Sequence, residues 1–409
     1  MSEWMTCKRY FDLTPGDTAI RLDLISKVHG IEQAEKFFNN IPKRTKTIKT
    51  YSALLNCYAQ KKGVEKVDTL LKTMKALGFV NSLTYNVLLN FYYQMGQYEK
   101  LDLLMEEMKE MGIPFDIVTF RTRMSAYVAA SDINGMESIL KRMEDDPKIV
   151  LDWDAYSAAA NGYIKAGLAD KAVAMLKKSE ALVTQDNWVA CNFLLTMYAS
   201  IGRKDDVYRI WNLLNSSSKN VTNASYLSII ISLTKLDDIE GAEKIVEEWE
   251  STCFCYDFRV PNRLIAAYCK KGLFHKAESF ISKAIERGRT PYPSTWECMA
   301  TGYVVDNQIS KGVEMMKAAL SANRTGWKPN TAILATCLEF FEKQGDVEGL
   351  EDFIRLLRLR IPLTRDVYHR LLRTHLVAGK PISDVLNKMK EDGVDADEET
   401  EEILRGSPD

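Results

Sequence analysis

No stretch of this 409-residue chain is apolar for long enough to cross a bilayer, which excludes a transmembrane helix. Histidine is scarce, at four residues, and the eight cysteines are scattered singly apart from Cys253 and Cys255. Those two stand too close for the usual zinc clip, and His369 and His375 have no cysteine partners, so no metal site is expected. The scatter fits a reducing compartment better than a disulfide scaffold, with free and mostly buried thiols. The H-x-E and P-C-x-x-C pair that holds zinc and a general acid in cytidine deaminases is missing. So are a glycine-rich phosphate loop and a nucleophile motif, and the acidic end leaves no room for a nuclease domain. The opening MSEWMTCKRYFDLTPGD is neither an apolar signal peptide nor an Arg- and Ser-rich transit sequence, so no targeting segment is legible. The chain reads as a binder without catalysis and without a cofactor.

Excess charge is also lacking: the formal total is −2. Residues 391–409 hold nine acids and one arginine, a net −8 that leaves +6 on residues 1–390. The body is mildly basic, and the tail is expected to be a solvated or frayed acidic end.

What the chain has in abundance is repetition. TYNVLLNFYYQMG at 84–96 is echoed by TYSALLNCYAQKKG at 50–63, AYSAAANGYIKAG at 155–167, ACNFLLTMYASIG at 190–202 and VPNRLIAAYCKKG at 260–272. Aligned on the glycine as fifteenth position, Gly30, Gly96, Gly167, Gly202, Gly272, Gly345 and Gly379 are spaced by 66, 71, 35, 70, 73 and 34. All are near multiples of 35, so units without the glycine keep the phase. Four residues earlier stand Tyr58, Tyr92, Tyr127, Tyr163, Tyr198, Tyr268, Tyr303 and Phe341, most simply core aromatics. Leu101, Leu104, Met105 and Met108 then mark a second amphipathic helix. Each unit is a helix, a turn and a helix, which buries its apolar face only by stacking on neighbours. Eleven units start near 16, 48, 82, 117, 153, 188, 223, 258, 293, 331 and 365, after the end of a truncated unit at 1–15 and before an acidic tail at 398–409. Prolines 15, 114, 291, 293, 329 and 362 fall near the joints, where helices stop, and Pro261 lies early in a first helix, where its missing N–H costs little. The expected fold is all-α, with no sheet.

The tetratricopeptide signature W-x2-L-G-x2-Y is absent. TYN followed by aliphatics, YxxxG, and an acidic second helix ending MKEMGIPFD resembles instead the pentatricopeptide repeat family of plant organellar RNA-binding proteins, in its plain subclass of 35-residue units. The resemblance covers nearly the whole chain and is closest over 82–116. It implies a right-handed α-solenoid holding single-stranded organellar RNA, mitochondrial or alternatively chloroplast, with one base read per repeat by two or three side chains. By the family's pattern the readers are the fifth and last residues of a unit. Ser52 with Asn81, Asn86 with Asp116, Ser157 with Asn187, and Asn192 with Thr222 would then prefer A, U, A and a pyrimidine. Asn262 with Tyr292 departs from the pattern, as do Ile20 with Thr47, Arg121 with Asp152, Leu227 with Asp257, Glu297 with Asn330, Ala335 with Thr364 and His369 with Asp397. The polar fifth residues could otherwise serve only the seam between stacked helices. Lys165, Lys235, Lys270 and Lys343, at the thirteenth position, would contact phosphate by resemblance, although lysine there also suits a helix C-terminus. The implied work is RNA processing, stability or translation by occupancy; the alternative is a protein-interaction scaffold, for example within an organellar ribosome.

Overall fold

The computed structural model describes residues 14–184, 187–217, 221–253, 255–322, 324 and 326–405. Every regular element among them is helical. The chain divides into two compact bodies, Met1–Ala190 and Cys191–Asp409.

The first body is built of helix pairs: α1 (Pro15–His29) and α2 (Ile31–Asn40), α3 (Ile48–Gln60) and α4 (Val64–Ala76), α5 (Ser82–Gln94) and α6 (Glu99–Glu110), α7 (Ile117–Ala129) and α8 (Ile133–Asp145), α9 (Trp153–Lys165) and α10 (Ala169–Ala181). α11 (Trp188–Ser200) carries the boundary, and α12 (Lys204–Ser217) follows it. The second body continues with α13 (Asn223–Lys235) and α14 (Ile239–Thr252), α15 (Pro261–Lys270) and α16 (Phe274–Glu286), α17 (Pro293–Val305) and α18 (Ile309–Ser321), α19 (Thr331–Gln344) and α20 (Val347–Arg358), α21 (Arg365–Val377) and α22 (Ser383–Glu391). Within the first body each odd helix packs on the next, α1 on α3 through α7 on α9, and within the second α13 on α15 through α19 on α21. Tyr85, Leu88 and Leu89 of α5 have no exposed surface and lie in a cluster with Leu55, Leu101 and Met108. Full burial of such a side chain contributes about 1.5–3 kcal/mol, and a hairpin standing alone, lacking Leu55 and its other neighbours, would reach only part of it.

The turn inside each pair shares one backbone feature. Its residue, at the fifteenth position, has positive φ in all eleven units: the seven glycines that set the register, and Lys62, Ser131, Asp237 and Asn307, with φ of 57°, 58°, 63° and 61°. Four units thus keep the glycine's backbone without its freedom, a strained choice for a residue with a Cβ.

Of the aromatics four residues earlier, Tyr92, Tyr163, Tyr198, Tyr268, Tyr303 and Phe341 are core, as expected, while Tyr58 and Tyr127 are half-buried, and several of the hydroxyls staple units together. Tyr92 donates to Asp68 of the preceding second helix at 2.6 Å, with Lys100 over its ring at 4.4 Å from the centroid. Tyr163 donates to Glu137 at 2.9 Å while Lys171 pairs with Glu137 at 2.7 Å and lies over the Tyr163 ring. Tyr268, Glu243 and Lys276 repeat this at 2.7 and 2.9 Å, and Tyr303 bonds Glu278 beneath Lys311. The lysine bond, then Tyr163, holds the Glu137 carboxyl below its ordinary value. Burial, then Glu137, pushes the Tyr163 hydroxyl up to about 12.

The acidic end departs from expectation. Residues Glu398–Arg405 form a helix, α23, which packs on α21 with Thr400 fully buried. The preceding basic stretch explains the order: Arg358 meets Asp392 at 3.0 Å, Arg365 meets Asp397 at 3.2 Å, and Arg373 meets Glu399 at 2.5 Å. Of the thiols, Cys57, Cys191, Cys269 and Cys337 are buried, Cys253 and Cys298 are partly covered, and Cys255 is exposed.

Candidate nucleic-acid interface

The last residue of a unit turns out to be the N-cap of the next first helix. The Asn81 side chain accepts from Thr84 N at 3.0 Å, Asp116 from Thr119 N at 2.9 Å, Asp152 from Ala155 N at 3.0 Å, and Asn187 from Ala190 N at 3.1 Å. In the second body Thr222 accepts from Ser225 N at 3.3 Å, Asn330 from Ala332 N at 2.9 Å, and Asp397 from Thr400 N at 3.0 Å. This satisfies donors that every helix start leaves open, and it explains the short polar residues at this position. Capping also has a chemical consequence: it uses one oxygen. A capping asparagine is left with its NH2, a donor, and a capping aspartate with its second oxygen, an acceptor that Asn86 meets at Asp116, Arg121 at Asp152 and Arg365 at Asp397.

Asn86, Arg121 and Glu297 among the fifth residues lie beside these caps. Asn86 Nδ2 donates to Asp116 Oδ1 and Oδ2 at 3.1 and 2.9 Å, and Asn86 Oδ1 accepts from Thr119 Oγ1 at 2.9 Å. With only 7% of its surface exposed, Asn86 forms a floor and the half-buried Asp116 a rim. Arg121 reaches Asp152 at 3.3 Å and bonds Asp154 more closely. Asn262 Nδ2 donates to Ser294 Oγ at 3.3 Å, while Asn262 Oδ1 and Asn192 Oδ1 are buried without a partner among the described residues. Glu297 accepts from Asn330 N at 2.6 Å and from Trp327 Nε1 at 3.2 Å. Ser52 is half-buried beside Tyr51. Ser157 takes a different place from the one its register implies: it has no exposed surface, and its hydroxyl lies 2.9 Å from Ser179 Oγ on α10. Ser179 in turn donates to Trp153 O at 2.8 Å, so both hydroxyls are spent inside the pair.

Lys165, Lys235, Lys270 and Lys343 all fall in the last turn of a first helix and are exposed. Lys235 Nζ donates to Ser200 Oγ at 2.8 Å, and Lys343 pairs with Glu339 at 2.6 Å. Sequence reasoning missed Arg123, buried at the seventh position, which bonds Asp102 and lies 3.9 Å from the centroid of the Tyr127 ring. Its signal was an arginine where other units carry an apolar residue, as at Leu54, Leu88, Ala159 and Leu194.

Among known proteins, the model of the PPR repeat matches residues 49–79, 154–181 and 260–289, and that of the PPR repeat family matches 80–129. A mitochondrial pentatricopeptide repeat-containing protein of Arabidopsis thaliana is 43% identical over 368 residues, covering 90% of this chain and 75% of the relative. A second mitochondrial member from that plant is 36% identical, covering 99% and 83%. The Arabidopsis thaliana large ribosomal subunit protein mL101 (rPPR4) is 36% identical, covering 97% and 82%. The crystal structure of the pentatricopeptide repeat protein PPR10 from maize covers 94% of this chain and 65% of that one, at 17% identity and a TM-score of 0.43.

Proposed function

Since this chain belongs to the PPR repeat family, we propose that it binds single-stranded RNA in the mitochondrion, reading bases through the fifth and last residues of its units and acting by occupancy. The observation that carries this reading is the cap. Each capping asparagine keeps a donor and each capping aspartate an acceptor, which is the minimum needed to tell bases by the ring nitrogen on their Watson–Crick edge. Adenine and cytosine offer an unprotonated nitrogen and suit Asn81 and Asn187; uracil and guanine offer N–H and suit Asp116. Lys165, Lys235, Lys270 and Lys343 would meet phosphate.

Titration of short RNAs tests the reading. Asn86→Ser with Asp116→Asn should move preference at one base from U towards A, with discrimination of about 1–3 kcal/mol, and leave the salt dependence unchanged. Equal binding of all RNAs by wild type and variant would end it.

A second reading has its own support. The pairs Asn86–Asp116 and His369–Asp397 are closed by internal contacts, Ser157 is buried, and one relative is a ribosomal protein. A scaffold within the mitochondrial ribosome would keep such seams and need no base preference. It predicts that the tagged protein sediments with large subunits in a gradient, and that RNA crosslinks to it fall on ribosomal RNA alone.

A further inference from the structure

Thr119 belongs to the unit after the Asn86/Asp116 pair, yet its hydroxyl sits between the two. Its oxygen is 2.9 Å from Asn86 Oδ1 and 3.0 Å from Asp116 Oδ1, it accepts from Asp116 N at 3.3 Å, and the residue is fully buried. An amide's oxygen and nitrogen are nearly alike in shape, so hydrogen bonding decides which of them faces a ligand. Two groups hold Asn86 in one orientation: Thr119, whose one hydrogen lies between Asn86 Oδ1 and Asp116 Oδ1, donates to the amide oxygen, and the Asp116 carboxylate accepts from Nδ2. They are not equivalent. Asp116 is the rim that a base would engage, and as its Oδ2, which holds Asn86 Nδ2 at 2.9 Å, turns to a ligand, the Thr119 hydroxyl is the group left to hold the amide oxygen.

We infer that Thr119 is a specificity-determining positioning residue for the preceding unit, holding Asn86 so that NH2 rather than oxygen is presented beside the Asp116 carboxylate. The inference rests on the RNA-reading proposal above. A donor next to an acceptor complements a carbonyl oxygen next to a ring N–H, the edge shared by uracil and guanine. Cytosine, with an amino group beside an unprotonated nitrogen, is disfavoured twice, by the Asn86 NH2 and by the Asp116 carboxylate, and a flipped amide would remove the first of these.

The rest of the chain supports the assignment. At the far end, Thr400 repeats the geometry: its Oγ1 lies 2.8 Å from His369 Nε2 and donates to Asp397 Oδ1 at 2.8 Å. Where the equivalent residue has no hydroxyl, the fifth residue is held in other ways. Before Ala155, Arg121 is drawn to Asp152 and Asp154; before Ala190, Ser157 turns to Ser179. Where the last residue is not an acid, as at Tyr292, Thr295 accepts from Tyr292 N at 3.2 Å and leaves Asn262 Oδ1 without a partner among the described residues.

The test uses the full chain as wild type, Asn86→Ser/Asp116→Asn, Thr119→Ala, Thr119→Val and Thr119→Ser. Alanine and valine are already tolerated at this position, at Ala155, Ala190 and Val367, so folding is expected and is checked by circular dichroism. Each protein is offered a random pool of single-stranded RNA of roughly 20 nucleotides, ample at one base per unit, and the bound fraction is sequenced. The base that the double variant shifts marks the Asn86 position. Wild type should select a keto base there. Thr119→Ala and Thr119→Val should admit cytosine, with uracil-over-cytosine preference falling about fivefold or more while other positions keep theirs, and Thr119→Ser should restore it. Undiminished preference in the folded alanine and valine variants would overturn the inference with RNA reading intact. Loss at every position, or no rescue by serine, would reduce Thr119 to packing. No preference at any position in wild type would remove the reading itself.

Discussion

At the residue scale, the stapling tyrosines do two jobs that different substitutions separate. Tyr163→Phe keeps the ring and loses the bond to Glu137, and should lower stability by about 1 kcal/mol. Tyr163→Ala empties a buried site and should cost roughly 3–5 kcal/mol, both read from urea unfolding. The same staple sets a pH window. Glu137 is depressed in the folded state, so its contribution is present above the unfolded carboxyl value and is lost as pH falls through the lower folded value. Tyr163 is raised to about 12, so its contribution is whole below the unfolded tyrosine value and fades as pH rises from there through about 12. Unfolding midpoints across pH should therefore form a plateau between the carboxyl and tyrosine ranges, and the plateau's acid shoulder should flatten in Glu137→Gln. The aromatic ring was legible in the sequence because it recurs in phase. Its partner was not, because the acid lies 23 to 26 residues upstream in a different helix, as with Glu35 for Tyr58 and Glu137 for Tyr163, and only packing brings them together.

At the element scale, the register was legible through its exceptions as well as its glycines. The four non-glycine turns stand where the phase puts them, because the stacked helices on both sides demand a left-handed residue there. Relieving that demand should help: Lys62→Gly and Asp237→Gly are each expected to raise stability by about 1 kcal/mol, visible as a higher denaturant midpoint. A glycine with the opposite logic sits inside α9. A Cβ on Gly162 would come within 2.3 Å of Met136 Sδ and 2.8 Å of Val128 Cγ2, so Gly162→Ala should lose about 1–3 kcal/mol by overpacking despite alanine's better helix propensity. Such a closeness between helices has no trace in the local pattern. Nor had the order of α23, since eight acids in residues 391–402 read as solvated until the arginines of α20 and α21 are placed beside them.

At the scale of the whole molecule, a body charge of only +6 cannot sustain strong non-specific attraction to a polyanion, so individual lysines should be countable. Replacing Lys165 and Lys270 by glutamine should weaken all RNAs alike and flatten the slope of log affinity against log salt by roughly 0.7 per lost phosphate contact, with base preferences unchanged. Affinity titrations at several salt concentrations check it; a slope equal to wild type would remove the lysines from the interface. The candidate readers were legible only as positions. Their chemistry was not, because a cap's remaining donor or acceptor depends on which oxygen the helix start has taken. That shared use of one side chain bears on how such a chain can change its targets over generations. Asn, Asp, Ser and Thr all start a helix about equally well, within a few tenths of a kcal/mol for most exchanges, while each leaves a different atom facing outward. If these caps read bases as proposed, a point mutation at Asn81, Asp116 or Asn187 would alter what a unit prefers at little expense to the helix start. New binding sequences then lie one near-neutral step away, and descendants can diverge in target while remaining alike in scaffold.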